Sequence, residues 1–212
     1  MSSVCPSGRI EVICGGMFSG KTEELLRRVR RCLIAKQKIQ LFKPKIDQRY
    51  SEDHVQSHDS NRLPSVPVNS ASELLERVDD TTRVVAIDEV QFFDSGIVEV
   101  AQKLANQGKK VICAGLDLDY LGKPFGPMPT LLCVAEEVMK LAAVCGRCGG
   151  SATRSQRILR KNTSQGSLNL TLSDSESKPS DETSPVWVGA SESYEPRCRL
   201  YHEPHEIEID GD

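Results

Sequence analysis

Apolar residues recur along this chain in two alternating rhythms. Short, nearly unbroken apolar runs at 10–14, 39–42, 83–87 and 110–114 read as β-strands. Between them, apolar residues return every three or four positions. Leu25, Val29, Cys32 and Leu33 form one such set, and Ala71, Leu74, Leu75 and Val78 a second. Ile97, Val100, Ala101 and Leu104 form a third, ending near Gly108. A fourth, with Leu131, Val134, Ala135, Val138 and Leu141, predicts a helix over 131–143. Strand runs with no polar alternation are expected where both faces of a sheet are covered. Strands alternating with helices predict an α/β fold, a mostly parallel sheet with helices on both faces. Residues 43–70 hold prolines and polar side chains and predict a long loop region, a common place for functional groups. The alternation ends near Val144, which predicts a domain over 1–144 and a smaller one over 145–212.

Composition narrows the class. The 212 residues are 38% hydrophobic and 27% charged, as expected of a globular protein. A net charge of −3 gives no basic signal for nucleic acid. No apolar run reaches membrane-span length, and residues 1–9 lack the apolar stretch of a signal peptide, so the reducing cytoplasm is expected. Disulfides are therefore not expected of the eight cysteines. Cys14, Cys32, Cys113 and Cys133 lie in apolar runs or on apolar faces and are expected to be buried, while Cys5 has no assignment. The arginines at 27, 28, 30 and 31 read as a solvated helix face.

The chemistry starts at Gly15-Gly16-Met17-Phe18-Ser19-Gly20-Lys21-Thr22, which matches the phosphate-loop pattern G-x-x-x-x-G-K-[ST] at every fixed position. An apolar strand precedes it and a helical pattern follows. That context aims backbone N–H groups and the positive end of the helix dipole at one point. Lys21 would reach the β- and γ-phosphates of a nucleotide, and the Thr22 hydroxyl would hold Mg²⁺. A second constellation is the strand 84–87 ending in Asp88-Glu89. A parallel strand delivers both carboxylates to the C-terminal edge of the sheet, where ligands bind. An Asp there holds Mg²⁺, and the neighbouring Glu can take a proton. Water as the attacking group would make an ATPase or GTPase; a substrate hydroxyl would make a kinase.

Further elements carry a family resemblance. The phosphate loop, Asp88-Glu89-Val90-Gln91-Phe92-Phe93, Gly115-Leu116-Asp117 and Lys123-Pro124-Phe125-Gly126 together resemble the cellular-type (type II) thymidine kinases. Leu141-Ala142-Ala143-Val144-Cys145 followed by Cys148 continues the likeness, and Gly126-Pro127-Met128-Pro129 is similar to the bacterial branch. The resemblance covers roughly 9–150 and resumes over 186–202. It implies transfer of the ATP γ-phosphate to the 5′-hydroxyl of thymidine, with Lys21, Thr22 and Asp88 at ATP and Mg²⁺, and Glu89 as general base. The nucleotide side would comprise 15–22 with Asp88, Glu89, Val90 and Gln91. Asp47 and Arg49 match a D-x-R element, Arg49 steadying the transferring phosphoryl group. Met17, Phe92, Leu116, Tyr120 and Phe125 match a thymine pocket, with Tyr120 in place of the more usual Phe. Residues 185–190 with Tyr194 resemble a lasso loop, with backbone groups near Trp187 and Val188 at the base edge and Tyr194 touching substrate. A homotetramer and feedback inhibition by dTTP are implied as well.

Cys145-x-x-Cys148 has the spacing of half a zinc site, and Cys198 begins the other half. The resemblance implies closure by a Cys or His three residues after Cys198. That place holds Tyr201, so His202 is the expected fourth ligand, with His205 a weaker candidate and a three-Cys site completed by water, or no metal, the alternatives. The role expected of Zn²⁺ is structural, because the small segment has few apolar residues of its own. The gap between the zinc halves is longer than in the family. The excess falls in 161–185, where seven Ser and three Thr, with three Leu as the large apolar side chains, predict a mobile surface insertion.

Overall fold

The computed structural model describes residues 8–45, 54–56, 62–161, 194–205 and 207–210. Asp47, Arg49, Trp187, Val188, Cys5 and nearly all of the Ser/Thr-rich stretch lie outside the described residues.

Strand β1 (Arg9–Gly15) leads through the phosphate loop into helix α1 (Lys21–Ile34), then β2 (Ile39–Pro44). Two short strands, β3 (His54–Gln56) and β4 (Arg62–Pro64), pair with each other, and β5 (Val66–Val68) follows. Helix α2 (Ala71–Arg77), β6 (Val84–Ile87), a 3-10 turn at Val90–Phe92, α3 (Gly96–Asn106) and β7 (Lys110–Gly115) complete the alternation. A short α4 (Met128–Val134) and β8 (Glu137–Leu141) close the sheet. The six strands run in the order β5-β2-β6-β7-β1-β8, and every neighbouring pair is parallel.

Both faces are covered, which is why the central strands carry no polar alternation. One face packs Ile13, Leu41, Val84, Ala86, Ile112 and Ala114 against Leu25, Leu26, Val29 and Cys32 of α1. The other packs Val12, Phe42, Val85, Ile87 and Val111 against α2, α3 and α4 through Leu74, Ile97, Leu104 and Leu131. Each fully buried Leu, Ile or Val contributes about 1.5–3 kcal/mol of transfer free energy.

Three expectations are corrected. The apolar spacing over 131–143 does not make one helix. It divides into α4 and the edge strand β8, paired with β1 from Glu11↔Glu137 to Gly15↔Leu141. The open backbone groups of β1 need partners, and that demand outweighs a short stretch of helical spacing. The loop region 43–70 contributes β5 to the sheet. Cys133 is exposed on α4, because only Met128 and Leu131 of that short helix turn fully inward.

Arg28 also departs from the solvated face expected of it. It is buried and reaches Glu11 Oε2 at 2.6 Å, Glu24 Oε1 at 2.8 Å and Glu137 Oε1 at 2.9 Å. Arg9 and Lys110 approach the other Glu11 oxygen at 2.6 and 2.7 Å. Burial pushes the Glu11 carboxyl up, but Lys110 and Arg28 together hold it below the usual range. Removing one partner of a buried pair leaves uncompensated charge. Glu11→Ala is therefore expected to cost about 3 kcal/mol, the low end of that range because Arg28 keeps Glu24 and Glu137. Urea unfolding measures it, and a loss under about 1 kcal/mol would contradict the role.

After β8 the chain forms a small pair, β9 (Ala143–Val144) with β10 (Ser151–Ala152). Strand β11 (Arg154–Lys161) then lies between β12 (Tyr194–Arg197), antiparallel, and β13 (Ile207–Asp210), parallel. Among the described residues, no helix is long and apolar enough to cross a membrane.

Candidate active site and metal centre

The phosphate loop depends on two glycines. Gly15 has φ +144°, and a Cβ there would stand 2.4 Å from the Leu141 carbonyl oxygen of β8. Gly20 has φ +83° and leads directly into α1. Any other residue would be strained at such angles. Phe18 also has a positive φ, 63°, which raises the loop crest. Ser19 Oγ and Lys21 Nζ both donate to the Gly16 carbonyl at 2.8 Å, so the Lys21 ammonium lies over the loop. Burial pulls the Lys21 pKa down, against the attraction of Glu89, Asp88 and Asp117.

Across from the loop, Thr22 Oγ1 donates to Asp88 Oδ2 at 3.2 Å. The Glu89 N–H donates to Asp88 Oδ1 at 3.0 Å. The chain turns sharply here, with Glu89 left-handed at φ 50°, a conformation that costs a non-glycine residue about 1–2 kcal/mol. The turn aims successive side chains in different directions. Asp88 faces Thr22, and Glu89 Oε2 accepts from Gln91 Nε2 at 2.6 Å. Gln91, almost wholly buried, also accepts from Leu116 N at 3.1 Å through its Oε1. One buried amide thus ties the ends of β6 and β7 and fixes the Glu89 carboxylate. Val90 and Gln91, both expected on the nucleotide side, have these surroundings. Gln91 bonds within the protein, and Val90, with no exposed surface, lies in the hydrophobic core because the 3-10 turn rotates it inward.

Burial, reinforced by the Glu89 charge, pushes the Asp88 carboxyl up to about 7, although the Glu89 N–H, Lys21 and Thr22 favour its charged form. The folded protein therefore holds this proton more tightly than the unfolded chain. The stability so gained is full below about pH 4, the unfolded carboxylate range, and is lost as pH rises through about 7. Asp88→Asn keeps an oxygen for the Glu89 N–H and removes the charge. Without Mg²⁺, thermal melting should show it stabilised over the parent at pH 8, by on the order of a few kcal/mol, and not at pH 4. Parallel pH dependence in the two proteins would refute this.

Of the apolar candidates, Phe92 and Phe125 meet each other, their rings edge to face with centroids 5.6 Å apart. Gly126 approaches so closely that a Cβ would stand 2.3 Å from the Gln91 carbonyl oxygen, which seats the 123–126 turn beside Phe92. Tyr120 lies under Arg157, whose guanidinium carbon is 5.3 Å from the ring centroid, a cation–π contact. Tyr194 is the register partner of Arg157. Met17 N donates to Ser155 Oγ at 2.9 Å. Strand β11 thereby touches the phosphate loop and the Tyr120 loop at once. Ser155 and Arg157 carried no signal in the sequence, since neither lies in a recognised spacing. Asp117 was quoted only inside a motif. It is a buried third carboxylate with Oδ2 2.6 Å from Lys140 Nζ and, among the described residues, no hydrogen-bond partner for Oδ1.

The thiols of Cys145, Cys148 and Cys198 come together, their sulfurs all within 4.8 Å of one another. A tight turn builds the first pair: Cys145 N donates to Gly150 O at 2.8 Å, and Gly149 N, at a glycine with φ +70°, to Cys145 O at 2.9 Å. Burial pushes the Cys145 thiol up, but backbone N–H groups of Cys198, Arg147 and Cys148 outweigh this and bring it down to about 6. Three convergent sulfurs with N–H support fit a thiophilic ion such as zinc. His202 is not part of this group. Its Nε2 lies 2.9 Å from the Tyr120 carbonyl oxygen, and His205 Nε2 lies 3.0 Å from Glu203.

The model of the family described as Thymidine kinase matches residues 8–202. The chain belongs to the thymidine kinase family. It is accordingly a phosphotransferase, a thymidine kinase, and the family implies thymidine and ATP as its substrates. The matched span contains the phosphate loop, the Asp88-Glu89 turn and all three clustered cysteines.

Proposed function

We propose that the edge formed by the phosphate loop and the β6 turn transfers the ATP γ-phosphate to the 5′-hydroxyl of thymidine, with Glu89 as general base. The observation that carries this is the Thr22 hydroxyl on Asp88 with Glu89 next in the chain, held by buried Gln91. Lys21 and the loop N–H groups hold the β- and γ-phosphates. Thr22 and Asp88 hold Mg²⁺, which when bound offsets the negative charge of the phosphates. Glu89 takes the 5′-hydroxyl proton as that oxygen attacks phosphorus in line, and the bond from phosphorus to the bridging oxygen of ADP breaks. Arg49 steadies the equatorial oxygens, and Asp47 lies on the substrate side.

Thymine sits among Met17, Phe92, Leu116, Tyr120 and Phe125. An apolar slot with aromatic walls suits a flat methylated base. Backbone groups near Trp187 and Val188 meet the base edge, and Tyr194 closes the nucleoside side. Cys145, Cys148 and Cys198 hold a structural Zn²⁺, with solvent in the fourth place. The chain divides into a nucleotide-binding unit over 1–144 and a zinc-bearing lasso unit over 145–212. We place the enzyme in the cytoplasm as a homotetramer inhibited by dTTP, supplying dTMP for DNA synthesis.

The test is phosphate transfer from ATP to thymidine with Mg²⁺, with thymidine omitted as control. Thymidine monophosphate formed only with both substrates is the expected result. ATP hydrolysis at the same rate without thymidine would overturn the proposed site.

A further inference from the structure

We infer that His202 is a positioning residue for the base-pocket loop and not a metal ligand; the inference rests on the pocket reading for Tyr120 and Phe125. The chain after Cys198 makes a turn, with Tyr201 N donating to Cys198 O at 3.2 Å. It is then pinned by one side chain. Gln156, fully buried on β11, accepts from Glu203 N at 2.8 Å and donates to His205 O at 2.7 Å. A buried amide satisfied at both ends is costly to displace. Residues 203 and 205 are therefore fixed on β11, and His202 is delivered to one place.

That place is the loop between β7 and α4. His202 Nε2 is 2.9 Å from the Tyr120 carbonyl oxygen. A carbonyl can only accept, so Nε2 carries the proton and donates. The ring also lies over Gly122, where a Cβ would stand 3.4 Å from His202 Cε1. The loop tip is a closed unit. Asp119 Oδ1 accepts from Leu121 N at 2.9 Å and Lys123 N at 2.8 Å, Gly122 N donates to Asp119 O at 3.0 Å, and Leu118 bridges to Pro124. A unit so closed moves as one body, so holding the Tyr120 carbonyl holds all of it. Arg157 of the same β11 lies over the Tyr120 ring, 5.3 Å from its centroid.

Tyr120 is thus gripped at main chain and ring by residues that β11 places. The consequence is a path from the metal to the pocket. The cysteine cluster sets where 199–205 runs, Gln156 fixes that run to β11, and His202 passes the constraint to the loop carrying Tyr120 and Phe125. The histidine does so with its Nε2–H on the carbonyl, while neither of its ring nitrogens joins the three-thiol group.

The full-length, zinc-loaded protein is compared with His202→Ala and His202→Gln, whose amide can donate from the same reach. Zinc content and release to a chelating dye, thymidine and ATP KM, kcat, and amide hydrogen exchange over 118–124 are measured. His202→Ala should keep its zinc with an unchanged release rate. Exchange over 118–124 should quicken, and thymidine KM should rise roughly tenfold, the scale of one lost hydrogen bond. The ATP KM and kcat should change by less than about twofold, since the loop does not carry the phosphate groups. His202→Gln should restore exchange and most of the KM. Loss of zinc from His202→Ala would make the residue a ligand and overturn the inference. So would unchanged exchange with an unchanged thymidine KM. Failure of the parent protein to phosphorylate thymidine would sink the pocket reading instead, and the exchange comparison would still decide the contact.

Discussion

Glu89→Gln is expected to lower kcat for thymidine phosphorylation by about 10²–10⁴-fold, the range for removing a positioned general base. The geometry makes this a clean test. The Glu89 carboxylate accepts from Gln91 Nε2 at 2.6 Å, and a glutamine can turn its amide oxygen to the same donor. The bridge from Gln91 to Leu116 N, and with it the junction of β6 and β7, survives the change. The substitution removes the proton acceptor and little else. Binding of ATP and thymidine, measured by calorimetry, should shift by no more than a few fold, which separates lost chemistry from lost binding. A variant retaining more than about a tenth of the parent kcat would remove Glu89 from the role.

Metal removal should have the second large effect. Among the described residues, the cluster around the three thiols contains only Ala143, Cys145 and Ala152 as buried apolar residues, with Cys198 packed against them. So little apolar surface cannot offset the entropy of ordering the two turns. Structural zinc supplies on the order of 10–16 kcal/mol of apparent binding free energy in small zinc-folded peptides. Chelation, or Cys198→Ser, should therefore open 145–152 and 198–205 to protease. The six-stranded sheet has its own cores on both faces and should keep its far-ultraviolet signal. Thymidine phosphorylation should fall more than about tenfold, because Ser155 and Arg157, which touch Met17 and Tyr120, sit on the strand this segment steadies. Purified protein without zinc, melting identically with and without chelator, would sink the proposal.

The order of strands and helices was legible because parallel strands covered on both faces must be apolar throughout, and the helices between them must show one apolar side. The phosphate loop was legible for a related reason. Its glycines sit where a Cβ or a negative φ is not tolerated, so the chemistry leaves a fixed spacing in the sequence. The Cys145-x-x-Cys148 pair was legible because one short turn brings both thiols together. In each case the constraint acts between residues close in the chain.

Where the constraint acts between distant residues, only the tertiary structure decided. The stretch 131–143 satisfies helical spacing, yet β1 needed an edge partner and took half of it as β8. Arg28 looks like any arginine on a helix, yet Glu11, 17 residues away, buries it. Gln91 and Val90 stand side by side in a recognised motif, but the turn sends one to Glu89 and Leu116 and the other into the core. His202 sits one residue past the place of a zinc ligand, and spacing alone favoured the metal. A carbonyl 82 residues away holds it, reached only because Gln156 fixes the segment between them. The sequence by itself determined the fold class, the glycine-rich loop and the thiol cluster, since local geometry is written in local spacing. Which partner each remaining polar group meets was left to the packing of strands and loops far apart in the chain.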